Sequence, residues 1–137
     1  MRISTKGRYS LEALLYMVLL PAGEYSSAGA IAEVTGISEG YLEQLFIPLR
    51  KAGIIRGIRG PQGGYLPGRN PDEITVGDIL RTVEGALESS DGSKMEISSN
   101  RNIWAELYRE INNCMDSITL ADLVQVYETM EEPEYLQ

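Results

Sequence analysis

Two stretches of this chain hold residue types at spacings that could do chemistry: the glycine run Gly57-Ile58-Arg59-Gly60-Pro61-Gln62-Gly63-Gly64-Tyr65 and the polar positions of residues 38–51. A glycine-rich run can cradle a nucleotide phosphate, because glycine lets backbone N–H groups come close to it. This run has the order G-x-x-G-x-x-G where a dinucleotide site needs G-x-G-x-x-G, and no Gly-Lys-Ser/Thr follows it. Nor does a long helix begin where a phosphate would need an N-terminus. The run fits better as the tip of a two-stranded hairpin, where Arg59 carries a cation into the negative potential of a narrow DNA minor groove. A plain surface hairpin is the duller alternative.

In residues 38–51, Leu42, Leu45, Phe46 and Leu49 recur at helical spacing and must face inward. Their burial turns Glu39, Gly40, Glu43 and Gln44 outward near the helix N-terminus, with Arg50 and Lys51 farther along. Those N-terminal positions reach base edges when a helix lies in a major groove. Gln44 can pair with adenine, and Glu43 can accept from a cytosine amino group. A carboxylate in a groove is costly without a donor, so Glu43 is expected to act through discrimination rather than affinity. A solvated helix face is the competing reading, and the neighbouring hairpin weighs against it. Lys6, Arg8, Ser38, Tyr41, Arg50 and Lys51 suit phosphate contacts, which position a protein without reading sequence. Thr5, Gly40, Gly60, Gly63 and Tyr65 complete the expected DNA-contacting set.

Most enzyme chemistry is excluded. The sequence has one cysteine, Cys114, and no histidine, which removes intrachain disulfides, most zinc sites and histidine-based triads and fits a reducing, cytoplasmic compartment. The carboxylates of the second half have no base, nucleophile or cofactor motif beside them and read as solvated helix surface. No catalytic residue, metal ligand or cofactor is expected. Cys114 is expected to be a small buried hydrophobe, with redox sensing as the alternative.

Caps and periodicity place the elements that hold these groups. Ser4 or Thr5 caps a first helix to about Leu20, ended by Pro21 and Gly23. Its apolar residues Leu11, Leu14, Leu15, Val18 and Leu19 argue for a helix of a folded domain over a secretory signal. Ser26 or Ser27 caps a second helix through about Thr35, with Ala30, Ile31 and Val34 inward and Gly36 at its end. Ser38 caps the third, which stops at Gly53 and should kink or end early at Pro48, where proline offers no N–H to the Gln44 carbonyl. Helix, tight glycine-containing turn, helix is the helix-turn-helix pattern. The hairpin after it, Ile54 to Arg59 and then Tyr65-Leu66, adds a wing. Pro71 and the pair Thr75 and Asp78 start a fourth helix to about Glu84, closed by Gly85.

Residues 86–100, with Ser, Gly, Asp and Asn throughout, read as a mobile effector loop. From about Arg101, Trp104, Tyr108, Ile111, Met115 and Ile118 alternate by four and three residues, with Leu107 and Cys114 beside the seam. Such a stripe in a short chain suits the helix of a symmetric partner better than its own core, so Trp104, Leu107, Tyr108, Ile111, Met115 and Ile118 are the expected dimerisation residues. Thr119 and Asp122 repeat the capping pattern and start a last helix through about Met130, before an acidic tail.

A chain of 137 residues with 43% hydrophobic and 23% charged residues suits one soluble domain with an appended dimerisation element, and no apolar run approaches a membrane span. Its net charge of −8 is uneven. Residues 1–69 hold eight Lys/Arg against five Glu, whereas residues 70–137 hold four against fifteen Asp/Glu. A basic module joined to an acidic one suits a protein that brings only one face to a polyanion.

STKGRY (4–9), ISEGYLEQL (37–45), LRKAG (49–53), RGPQGGY (59–65), EITVGDI (73–79) and DSITLADL (116–123) together resemble the Rrf-two family of bacterial winged helix-turn-helix transcription regulators. The resemblance spans nearly the whole chain. It implies a mainly α fold: a DNA-binding domain over 1–85, the effector loop over 86–100, and a dimerisation helix with a C-terminal helix over 101–137. It also implies DNA-reading roles for Glu43, Gln44 and Arg59, while Gly40 lacks the small polar side chain that some members carry there. Members that bind an iron–sulfur cluster place three cysteines in the loop matching 86–100. This sequence has none there, and one cysteine cannot supply the usual four thiolates. The chain thus resembles the cluster-free, CymR-like cysteine-metabolism repressors, which are signalled through a complex with a cysteine-synthase enzyme. The expected function is a cytoplasmic homodimer that binds an imperfect palindrome of double-stranded DNA and represses sulfur, cysteine-metabolism or redox-related genes. The alternative is a protein-interaction module that binds a metabolic enzyme and has little DNA affinity.

Overall fold

Ser4, Ser27, Ser38 and Thr75 each accept a hydrogen bond from the backbone N–H three residues on, opening α1 (Thr5–Leu19), α2 (Ala28–Thr35), α3 (Glu39–Lys51) and α4 (Val76–Glu84). The computed structural model describes residues 2–85 and 103–130. The expected effector loop over 86–100 and the acidic tail after Met130 lie outside them. Two further helices follow, α5 (Ile103–Asp116) and α6 (Leu120–Met130). Between α3 and α4 runs an antiparallel hairpin of β1 (Ile55–Ile58) and β2 (Gly64–Pro67), in which Ile55 faces Pro67 and Ile58 faces Gly64. A short 3-10 turn, Pro71–Glu73, leads into α4. The architecture is a winged helix with two added helices.

Five of the six described helices feed the core: Leu14 of α1, Ile31 of α2, Leu42 and Leu49 of α3, Ile79 of α4 and Leu120 of α6 are all fully buried, while α5 buries no residue. The stripe expected on α3 is borne out, since Leu42, Leu45, Phe46 and Leu49 are its buried residues. On α1 the expectation needs correcting. The buried face is Gly7, Ser10, Ala13, Leu14 and Met17, while Leu11, Leu15 and Val18 are half-buried and Leu19 is exposed. Small residues won because α4 comes so close: a β-carbon on Gly7 would stand 2.7 Å from Leu80 Cδ2. Val34, expected inward, is 63% exposed, since in α2 only Ala28 and Ile31 reach the core. α3 also runs through Pro48 to Lys51 without an early end. The carbonyl that Pro48 leaves without a helical donor belongs to the exposed Gln44, where water can serve it.

α4, α5 and α6 meet in one joint. Thr75 and Asp78 form a reciprocal capping box, with Thr75 N donating to Asp78 Oδ2 at 3.0 Å and Asp78 N to Thr75 Oγ1 at 2.9 Å. Thr119 and Asp122 do the same, at 2.9 and 3.1 Å. The two boxes are joined by an antiparallel bridge in which Val76 N donates to Ile118 O at 2.8 Å and Leu120 N to Ile74 O at 2.9 Å. Arg81 of α4 then clamps α5: Nη1 donates to Asn112 Oδ1 at 2.9 Å and Nη2 pairs with Asp116. Gly77 has no side chain to obstruct the clamp.

The long-helix stripe is divided by this packing. Tyr108, Ile111 and Met115 of α5 and Ile118 just after it are half-buried, whereas Trp104 is 40% and Leu107 44% exposed. Cys114, expected to be buried, is exposed, because with Ile103 and Leu107 it lies on the face turned away from α4. Arg81→Ala is expected to cost about 1 kcal/mol and to speed amide exchange in α5 more than in α1 to α3. Hydrogen-exchange mass spectrometry would check it, and a change in α5 no larger than in α1 to α3 would mean that the clamp does not hold α5.

Candidate nucleic-acid interface

The hairpin stands against the helix-turn-helix unit because its second strand is fastened to the entry of α2. Tyr65 N donates to Ser26 O at 2.7 Å and Ser26 N donates to Tyr65 O at 3.0 Å. The Tyr65 ring packs on Phe46 of α3, with centroids 4.6 Å apart. Between α3 and the hairpin these contacts leave a groove of about 650 Å³, into which the first turn of α2 also opens. Glu39, Glu43 and Arg50 line it from α3, and Gly57, Arg59, Gly60, Gly63 and Tyr65 line it from the hairpin. Arg50 lies alongside Gly57, with Cδ and Nη1 3.7 and 3.8 Å from where a β-carbon would stand.

Two of the glycines expected to contact DNA are demanded by the hairpin itself. Gly60 has φ 109°, which side chains rarely adopt. A β-carbon on Gly63 would stand 1.9 Å from Ile58 O, a backbone atom that cannot swing aside. Tyr65 is likewise half-buried and anchors the wing through its ring and backbone.

Of the expected residues, Glu43, Arg50, Arg59, Gly60, Gly63 and Tyr65 come together in the groove, while Thr5, Lys6, Arg8, Ser38, Gly40, Tyr41, Gln44 and Lys51 lie outside its lining. Thr5, Lys6 and Arg8 are exposed on the first turn of α1. Arg8 sits 5.5 Å from the Tyr9 ring, and Tyr9 meets Tyr41 edge-on at 5.7 Å, so Arg8 is linked through Tyr9 to the first turn of α3. Ser38 Oγ accepts from Tyr41 N at 3.3 Å, which leaves its hydroxyl proton free to donate to a phosphate. Open space surrounds Gly40, and Gln44 and Lys51 face solvent. Sequence reasoning turned Glu39 outward and placed Gly57 in the glycine run, but left the Ser27 to Gly29 turn out of the site. No periodicity marks that turn, because only the tertiary approach of α2, α3 and the hairpin brings it into the groove.

The wing beside an exposed helix N-terminus suits a nucleic-acid-binding fold, and comparison with known proteins fixes the family. Rrf2, described as an iron-dependent transcriptional regulator, matches residues 3–126. The chain belongs to the Rrf2 family. The HTH-type transcriptional regulator CymR of Bacillus subtilis is 39% identical over 136 residues, which is 99% of this chain and 98% of that protein. The solved structure of CymR, the global cysteine regulator of B. subtilis, matches with a TM-score of 0.79 over 92% of this chain and 98% of that one, at 39% identity. T. potens IscR matches with a TM-score of 0.77 at 39% identity, over 96% of this chain and 92% of that one. This Rrf2 chain is therefore a winged helix-turn-helix, DNA-binding transcription regulator and not an enzyme. The reading as an interaction module with little DNA affinity gains no support from relatives named as regulators.

The family description carries iron, and the donor set of this Rrf2 chain does not fit an iron–sulfur cluster. The sequence holds one cysteine and no histidine, so two copies offer two thiolates where such clusters take four protein ligands. Among the described residues no group of three or more His, Cys, Asp or Glu stands together to hold a metal ion.

Gly63→Ala is expected to lower stability by about 1 to 3 kcal/mol, as overpacking does, through loss of the hairpin turn. Urea denaturation would check it, and an unchanged midpoint would mean that the tip rebuilds around the methyl group.

Proposed function

We propose that this protein is a cytoplasmic, homodimeric repressor that grips an imperfect palindrome of double-stranded DNA. Two copies of α3 enter successive major grooves and two hairpin tips enter the flanking minor grooves. The observation that carries the reading is the shared groove, where Glu43 and Arg50 of α3 face Arg59 of the hairpin. Glu43 and Gln44 read base edges, and Arg59 enters the minor groove. Thr5, Lys6, Arg8, Ser38, Tyr41 and Lys51 meet phosphates along the same face.

The DNA-binding unit is residues 1–85, and residues 101–137 supply the dimer contact through the stripe from Trp104 to Ile118. The exposure of Trp104 and Leu107 in the single chain supports this, as does the two-fold symmetry that a palindrome demands. By analogy with the global cysteine regulator of B. subtilis, the controlled genes are those of cysteine and sulfur metabolism. A cysteine-synthase-type enzyme is the proposed signalling partner, acting near residues 86–100 or on α5 to shift the population of DNA-competent spacings.

Binding to a duplex from its own upstream region, titrated across salt concentrations with and without cysteine synthase, tests the reading. Affinity should fall steeply with salt as counterions are released. In the same titration Arg59→Ala should weaken binding by about 1 to 3 kcal/mol and reduce the salt slope by about one, and unchanged affinity would remove the wing from the interface. Protein purified without oxygen should be colourless in the visible range, and a stoichiometric iron–sulfur band would overturn the argument from donor chemistry.

A further inference from the structure

Of the apolar residues of α3, only Ile47 is exposed, at 43%. An apolar residue alone on a helix surface needs no explanation, but the place of this one bears on function. At about 3.6 residues per turn, Ile47 falls between Glu43 and Gln44 when α3 is viewed down its axis, almost opposite the buried Leu42, Leu45, Phe46 and Leu49. It therefore stands at the centre of the face that α3 turns away from the core. Gly40, nearly two turns earlier on almost the same line, has open space around it, so no side chain there holds that face back from a duplex.

Glu43, Gln44, Arg50 and Lys51 surround Ile47 and are all exposed. Each of them can hydrogen-bond, and Ile47 cannot. On the major-groove edges of a duplex the donors and acceptors suit the polar residues, and the apolar group on offer is the C5-methyl of thymine. The chemistry of the partner is thereby fixed once α3 lies in that groove. The reach agrees, since Ile47 is about 5 Å farther along the helix than Glu43 and Gln44, which is one or two base steps at about 3.4 Å each. A β-branched side chain in a helix keeps one strongly preferred rotamer, so Ile47 presents its methyl groups in one place with little ordering cost.

We infer that Ile47 is a specificity-determining residue that packs on the C5-methyl group of a thymine in each half-site, one or two base steps beyond the bases read by Glu43 and Gln44. The inference rests on the regulator reading above and adds to it a base read by apolar contact.

The test uses the full chain and a duplex enriched by the wild-type protein from a randomised pool. Each thymine of one half-site is replaced in turn by deoxyuridine, which pairs identically and lacks only the methyl group, and binding is followed by fluorescence anisotropy. At one thymine the wild type is expected to lose about fourfold in affinity, the worth of one buried apolar carbon. Ile47→Ser is expected to bind that thymine duplex and its deoxyuridine form equally, and comparing two duplexes with one variant cancels any loss of folded protein. Indifference of the wild type to every thymine methyl would overturn the inference, as would a methyl effect that survives undiminished in Ile47→Ser. If the wild type enriches no sequence at all, the regulator reading itself fails, and that outcome is separate because it appears before any substitution is made.

Discussion

Two hydrogen bonds between the backbones of Ser26 and Tyr65 set the angle at which the hairpin stands to the recognition helix. A two-stranded ribbon is marginally stable alone, so something outside it must hold it. Here the entry of α2 takes the place of a third strand, and Phe46 closes the other side through the Tyr65 ring. Any β-carbon at position 64 would stand 2.5 Å from Ser26 O, so glycine is required there for the strand to come this near. Groove width, the reach of Arg59 and the lie of Arg50 all follow from this one attachment.

The second constraint is the joint that carries α5. Its backbone bridge and the Arg81 clamp fix the C-terminal half of the long helix to α4, and α4 packs directly on α1 and α3. In the proposed dimer, the spacing of the two copies of α3 would pass through this short path of polar contacts. Such contacts have defined geometries and can be switched between discrete arrangements, which a smooth apolar face does less readily.

Much of this was legible in the sequence. Local signals did best: the caps at Ser27, Ser38 and Thr75, the glycine at position 36, the α3 stripe and the hairpin all stand where spacing and residue chemistry put them. Signals that depend on packing distance did worse. On α1 the large aliphatics outweighed the small residues in any count of hydrophobicity, yet Gly7, Ser10 and Ala13 are what a closely approaching neighbour selects. Cys114 was misplaced because a helical stripe gives a face without saying which neighbour covers it. The candidate site divides the same way: Glu39, Glu43 and Arg59 follow from helix and turn rules, whereas the share of the groove lined by the first turn of α2 depends on packing.

The clamp lies toward one end of α5. Arg81 holds Asn112 and Asp116, while Ile103, Trp104 and Leu107 project beyond it. At the rise of an α-helix, Ile103 stands about 14 Å from the held turn. Among the described residues the long helix is therefore held to α4 toward its C-terminal end, and the stretch from Ile103 to Leu107 extends from that joint as a lever arm. Force applied near Trp104 acts through that arm, so a small force at the helix end gives a large torque on the joint with the body that carries α3.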